Sequence, residues 1–75
     1  MASHAEIDDV PVSGGGIRLG QFLQLAGLFD TGGEAKAAIL AGDVRVNDEV
    51  DTRRGRQLAT GDVVAANGRQ ARVSE

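Results

Sequence analysis

Between Ile17 and Leu28, the apolar residues Leu19, Phe22, Leu23 and Ala26 fall at i, i+3, i+4 and i+7, the spacing of one helical stripe. Arg18, Gln21 and Gln24 lie off that stripe, and Gly27 follows its last member, where a left-handed C-cap belongs. The pattern predicts a first helix over residues 17–28. A second begins after Thr31, which is followed three residues later by Glu34 in the Thr-x-x-Glu arrangement of a capping box. Good helix formers run from Glu34 to Ala41, with Ala35, Ala38 and Ile39 on the buried side, and Gly42 ends the run. Alanines on that side let this helix pack tightly against the first.

Beyond Gly42 the period changes from helical to alternating. Val44-Arg45-Val46 reads as a strand and Asn47-Asp48 as turn chemistry. A three-residue turn, Asn47 to Glu49, would keep Val44, Val46 and Val50 on one face, and this register is the one expected. After the irregular stretch TRRGRQ, Leu58 precedes the turn signal Thr60-Gly61-Asp62. Then VVAANGRQARV forms a hairpin about a type I′ turn at Asn67-Gly68. Pairing Ala66 with Arg69 places Val64, Ala66, Ala71 and Val73 on one face and Val63, Ala65, Gln70 and Arg72 on the other.

Residues 1–16 show no such periodicity. They are polar and acidic, contain Pro11 and end in Ser13-Gly14-Gly15-Gly16, so a flexible acidic tail is expected there. It has neither the basic start nor the apolar stretch of a secretory signal. The ordered part, residues 17–75, reads as a single α+β domain: two packed short helices, then a small, mostly antiparallel sheet of three to five strands.

Composition narrows the function. A chain of 75 residues makes one small domain, burying about 60% of its unfolded-state surface. It has no cysteine, so disulfides and thiolate metal ligands are excluded, in keeping with a cytoplasmic location. No apolar run approaches the roughly 18 residues that cross a bilayer. The enzyme reading fails on inventory: His4 is the one histidine and falls in the tail, Tyr and Cys are absent, and Lys36 is the sole lysine. Neither glycine cluster has the spacing of a dinucleotide fingerprint or a phosphate loop, and Asp48, Glu49 and Asp51 lack the EF-hand spacing and read as solvated acids around a turn. No catalysis, cofactor or metal is expected.

The net charge of −3 hides an uneven distribution. Residues 1–16 carry −3, residues 17–52 carry −3, and residues 53–74 carry +4. Binding responds to the local field of a patch, and seven of the eight basic residues are arginine, whose planar fork suits phosphate. Arg53, Arg54 and Arg56 cluster in a glycine-containing connection, Arg45 and Arg72 can project from strands, and Arg18 and Lys36 occupy the helices.

The order of these landmarks resembles the S-four RNA-binding domain, or alpha-L motif. The likeness runs through Arg18-Leu19, Phe22-Leu23, Gly27-Leu28, Thr31, Ala35-Lys36, Ile39, Gly42, Val44, Val46-Asn47, Val50 and Gly61-Asp62-Val63. Asp51-Thr52-Arg53 adds a similarity to the stand-alone bacterial members of the YbcJ type. The resemblance implies two packed helices before a small, curved, mostly antiparallel sheet, and non-catalytic binding of structured RNA, ribosomal or transfer RNA. It implies RNA contacts at Arg18, Lys36 and Arg45; the stand-alone subgroup and the charge pattern add Arg53, Arg54 and Arg56. Two positions depart from the family pattern: Gly20, where aspartate is common, and Gly32, where arginine is common. The partner expected is structured RNA, with the ribosome as a candidate, for a monomer that meets no membrane and no small-molecule substrate. Only Phe22 and Phe29 are aromatic, and Phe22 sits on the core stripe, so contact with backbone and shape is expected over base stacking. The rival from another class is a ribosome-associated protein-interaction adaptor that does not itself bind RNA.

Overall fold

The first helix begins two residues later than the range 17–28 predicted for it, at the first residue of its apolar stripe. In the computed structural model, which describes residues 7–14 and 16–75, α1 spans Leu19–Leu25 and α2 spans Gly32–Leu40. Leu19, Phe22 and Leu23 of α1 are buried against Ala35 and Ile39 of α2, with Ala26 and Ala38 packed at the margin. Both helices end in a Schellman motif. Gly27 N donates to Gln24 O and Leu28 N to Leu23 O; Gly42 N donates to Ile39 O and Asp43 N to Ala38 O. The two glycines have φ of +74° and +81°, the left-handed conformation that this motif requires. At the start of α2, Thr31 Oγ1 accepts from Glu34 N at 3.1 Å. The returning arm of the box reaches one residue further back than expected: Glu34 Oε1 accepts from Asp30 N at 3.2 Å.

Among the described residues seven strands accompany this pair, and two of them precede the helices. In chain order they are β1 Ile7–Pro11, β2 Ile17–Arg18, β3 Arg45–Val46, β4 Glu49–Val50, β5 Gln57–Leu58, β6 Val63–Ala66 and β7 Arg69–Ser74. Five form one sheet in the order β1-β7-β6-β3-β4, while β2 and β5 pair separately. All pairings are antiparallel except β1 with β7. The β6–β7 hairpin has the expected register, Ala66 opposite Arg69, and Val64, Ala66, Ala71 and Val73 are buried on the helix side. Val44, Val46, Leu28 and Leu58 complete the core.

Three sequence expectations are corrected. Ile17 and Arg18 are not helical; they pair with Leu58 and Gln57. The turn after β3 has two residues: Arg45 pairs with Val50 and Val46 with Glu49, around Asn47 and Asp48 with φ of +52° and +71°. Val50 therefore leaves the face of Val44 and Val46 and is 53% exposed. The physical reason is that consecutive left-handed residues make a type I′ turn, whose twist matches that of the strands. Asn47 also locks this geometry, its side-chain amide donating to Asp62 Oδ1 and accepting from Val63 N, each at 3.0 Å.

The third correction concerns the tail. Residues 7–11 form β1, parallel to β7, with Val12 N donating to Ser74 O at 2.8 Å. Val10 and Val12 pack against the core, while Asp9 stands beside Arg72 with Oδ1 3.0 Å from Nε. The acidic residues of β1 lie at a sheet edge, where they stay exposed. Glu6, His4 and Gly15 lie outside the described residues. Among the described residues no helix is long and apolar enough to cross a membrane.

Candidate functional site

Two helix starts and one loop converge on a single hollow. Arg18 stands immediately before α1, Lys36 lies in the second turn of α2, and Arg54 comes from the turn between β4 and β5. Together with Gln21, Gln24, Gly32 and Gly33 they line an open hollow of about 520 Å³. Among the described residues its wall contains three cations and no carboxylate. Gly32 and Gly33 are the first two helical residues of α2, whose N–H groups belong to those a helix start leaves without an intrahelical partner. The partial positive charge of that helix end adds to the field of the three side chains.

The loop bearing Arg54 is anchored at both levels, backbone and side chain. Arg56 N donates to Arg53 O at 3.1 Å, closing a turn over residues 53–56. The carbonyls of Arg54 and Arg56 then accept from Gly20 N at 3.0 Å and Leu19 N at 2.8 Å, satisfying the start of α1. Gln21 completes that start, its Oε1 accepting from Arg18 N at 3.3 Å. Beneath the turn sits Asp51, only 6% exposed. Its Oδ1 accepts from Arg53 N at 2.9 Å and Arg53 Nε at 3.1 Å, and its Oδ2 from Arg53 Nη2 and Arg56 Nη1 at 2.9 Å each. These bonds, led by the Arg53 side chain, hold the Asp51 carboxyl well below the usual carboxylate range despite the opposing cost of burial. The same pairing raises Arg53.

The six basic residues singled out by sequence thus divide. Arg18, Lys36 and Arg54 share the hollow. Arg53 and Arg56 are tied to Asp51, although most of the Arg53 side chain remains exposed. Arg45 lies elsewhere: it alternates with the buried Val44 and Val46, so it points to the sheet face away from the helices, near Gln70. Arg69, from the β6–β7 hairpin, donates through Nη2 to Gly27 O at 2.6 Å, and Asn67 Nδ2 donates to Leu28 O at 3.0 Å, so the hairpin tip pins the connection between the helices.

Sequence reasoning missed three residues of this region. Asp51 was expected to be one of several solvated acids, yet it is the buried hub of the basic turn; the signal available was an acid followed at +2 and +5 by arginine. Gln21 and Gln24 were noted only as off the apolar stripe, which is what brings them to the hollow. Among the described residues no group of three His, Cys, Asp or Glu side chains is placed to hold a metal ion.

Comparison with known proteins bears on the fold and the family. Over 52 residues, 69% of this chain and 73% of the relative, the sequence is 54% identical to the probable ribosome maturation protein RlbA of Bacillus subtilis (strain 168). The fold superposes on the solution structure of YbcJ from E. coli with a TM-score of 0.72 at 25% identity, covering 100% of this chain and 96% of that one. That protein is described as carrying an alpha-L motif involved in RNA-binding. The sequence profile of the S4 domain matches residues 10–74, a span that takes in the end of β1, both helices and nearly all of the sheet. With helices, basic turn and hairpins all inside that span, the chain belongs to the S4 domain family.

Proposed function

We propose that this protein binds structured RNA, ribosomal or transfer RNA, without catalysing a reaction on it, through the hollow lined by Arg18, Lys36 and Arg54. The observation that carries the reading is the convergence of three cations, with no carboxylate among them, on the exposed start of α2. Phosphate is the group that such a field selects, and backbone N–H groups at a helix start suit its oxygens. The two amide side chains on the same wall offer neutral donors and acceptors for a 2′-hydroxyl or a base edge. Family membership and the likeness to an RNA-binding alpha-L structure support the same conclusion. The likeness to a ribosome maturation protein favours ribosomal RNA as the partner. Arg53 stands at the rim as an auxiliary contact, whereas Arg45 faces away and serves no part in this site.

Salt titration tests the reading. Three neutralised phosphates give a slope of log affinity against log salt of about −2 to −3. Lys36→Ala and Arg54→Ala should each weaken binding to ribosomal RNA and make the slope shallower by about 1. An unchanged affinity in both variants, both folded, would move the reading to a ribosome-associated adaptor that contacts protein.

A further inference from the structure

The wall of the hollow contains a helical glycine beside which a neighbouring side chain leaves no room for a Cβ. Gly20 is the second residue of α1, and its backbone is not in the left-handed region, so nothing in its conformation calls for glycine. Glycine is nonetheless the poorest helix former after proline. The reason lies across the contact: a Cβ at this position would stand 2.8 Å from Arg54 Cγ and 3.6 Å from Arg54 Cδ. Carbon atoms in favourable contact sit about 3.5–4.0 Å apart. The Arg54 stem therefore occupies the volume that a side chain at position 20 would fill.

A second, separate set of bonds fixes the same arginine from behind. Gly20 N holds Arg54 O at 3.0 Å, and Asp51 grips the residues on either side of the Arg54-Gly55 tip, Arg53 and Arg56. Arg54 is thereby the one arginine of the cluster that Asp51 does not engage. We propose that Gly20 and Asp51 are positioning residues that seat Arg54 in the hollow: Gly20 by yielding the space for its stem, Asp51 by consuming its two neighbours and holding the turn against α1. This rests on the assignment of the hollow to RNA. It explains the departure at position 20 as a local fit, in which the close approach of a cation replaces a side chain.

The test uses the full chain, bulk bacterial ribosomal RNA as the probe, and paired measurements of affinity across a salt series and of melting temperature. Gly20→Ala gains helix propensity but must shift the Arg54 stem, so the variant should stay folded and melt within a few degrees of the wild-type temperature. Its RNA affinity should nevertheless fall about three- to tenfold, with the salt slope shallower by about 1, because Arg54 is displaced. The double variant Gly20→Ala/Arg54→Ala should bind no more weakly than Arg54→Ala alone, the non-additivity expected of residues acting through one contact. Asp51→Asn, measured well below its melting temperature, should show the same non-additivity with Arg54→Ala, and this arm decides the matter should Gly20→Ala melt early. Wild-type affinity in Gly20→Ala, or full additivity in both cycles, would overturn the positioning role while Lys36→Ala and Arg54→Ala still weaken binding. If those two variants bind normally as well, the RNA assignment itself fails and the positioning role falls with it.

Discussion

Asp51 joins stability to the geometry of the basic turn at a single residue. Four hydrogen bonds from Arg53 and Arg56 compensate the burial of its carboxylate, and the charged form is favoured in the folded state. A depressed folded-state pKa contributes stability that is fully present above the unfolded value of 3.8 and is lost as pH falls below it. The melting temperature of the wild type should therefore drop as pH is lowered from about 5. Asp51→Asn should melt several degrees lower at neutral pH and respond less steeply to acid, as followed by circular dichroism across pH. Position 32 makes a different prediction. Gly32 is the first residue of α2 without a positive φ, and a Cβ there would meet only Gln24 Oε1, at 3.4 Å. Gly32→Arg should fit, alter stability by no more than about 0.5 kcal/mol, and tighten RNA binding by roughly 0.5–1 kcal/mol, since solvent screens the added charge. Affinity and melting temperature measured together check both halves.

At the level of elements, the hairpin β3–β4 shows how turn chemistry overrides side-chain pattern. Placing three valines on one face would bury more apolar area, but it requires a three-residue loop. Asn47 and Asp48 instead adopt left-handed conformations in succession, and Val50 is left exposed beside Arg45 on the outer face. Burial of Val50 is forgone, and the place opposite Val44 passes to Asp51, whose N donates to Val44 O at 3.1 Å. An aspartate at φ +71° is strained in a position that glycine takes freely. Asp48→Gly should stabilise the protein by up to about 1 kcal/mol, read as a higher denaturant midpoint with an unchanged m-value. RNA affinity should not change, because this turn lies outside the hollow.

For the molecule as a whole, the consequential element is β1. It closes one edge of the five-stranded sheet, covers the backbone of β7 and adds Val10 and Val12 to the margin of the core. A domain of this size has little core to spare. Deleting residues 1–12 should lower the melting temperature by several degrees, given that 1 kcal/mol corresponds to about 4–8 °C in a domain of this size. It should also expose β7 as an edge open to pairing with a second copy, visible as dimers or aggregates in size-exclusion chromatography. A melting temperature within a degree of wild type would show that β1 adds nothing to stability. The charge layout is likewise a whole-molecule property: the hollow gathers its three cations on the helix side, and Arg45 stands on the opposite face of the sheet.

Local signals carried the two helices, their glycine-terminated ends and the Asn67-Gly68 hairpin, because each is encoded within a few residues by period, cap and turn chemistry. The likeness to the family was legible in the spacing of the same landmarks, and three of the six basic residues named from sequence line one hollow. What the sequence could not express was pairing between distant segments. Parallel pairing of Ile7–Pro11 with β7 depends on an edge that exists only after the sheet forms, and Ile7 and Val10 on either side of two acids carry no period strong enough to announce it. The short pair β2–β5 arises the same way, joining Ile17 to Leu58 and Arg18 to Gln57 across both helices and the β3–β4 hairpin. Burial of Asp51 and the fit of Gly20 against Arg54 are likewise decided in three dimensions. Whether an acid is solvated, or a glycine makes room, depends on what the fold brings within a few ångströms of it, and that is set by tertiary packing.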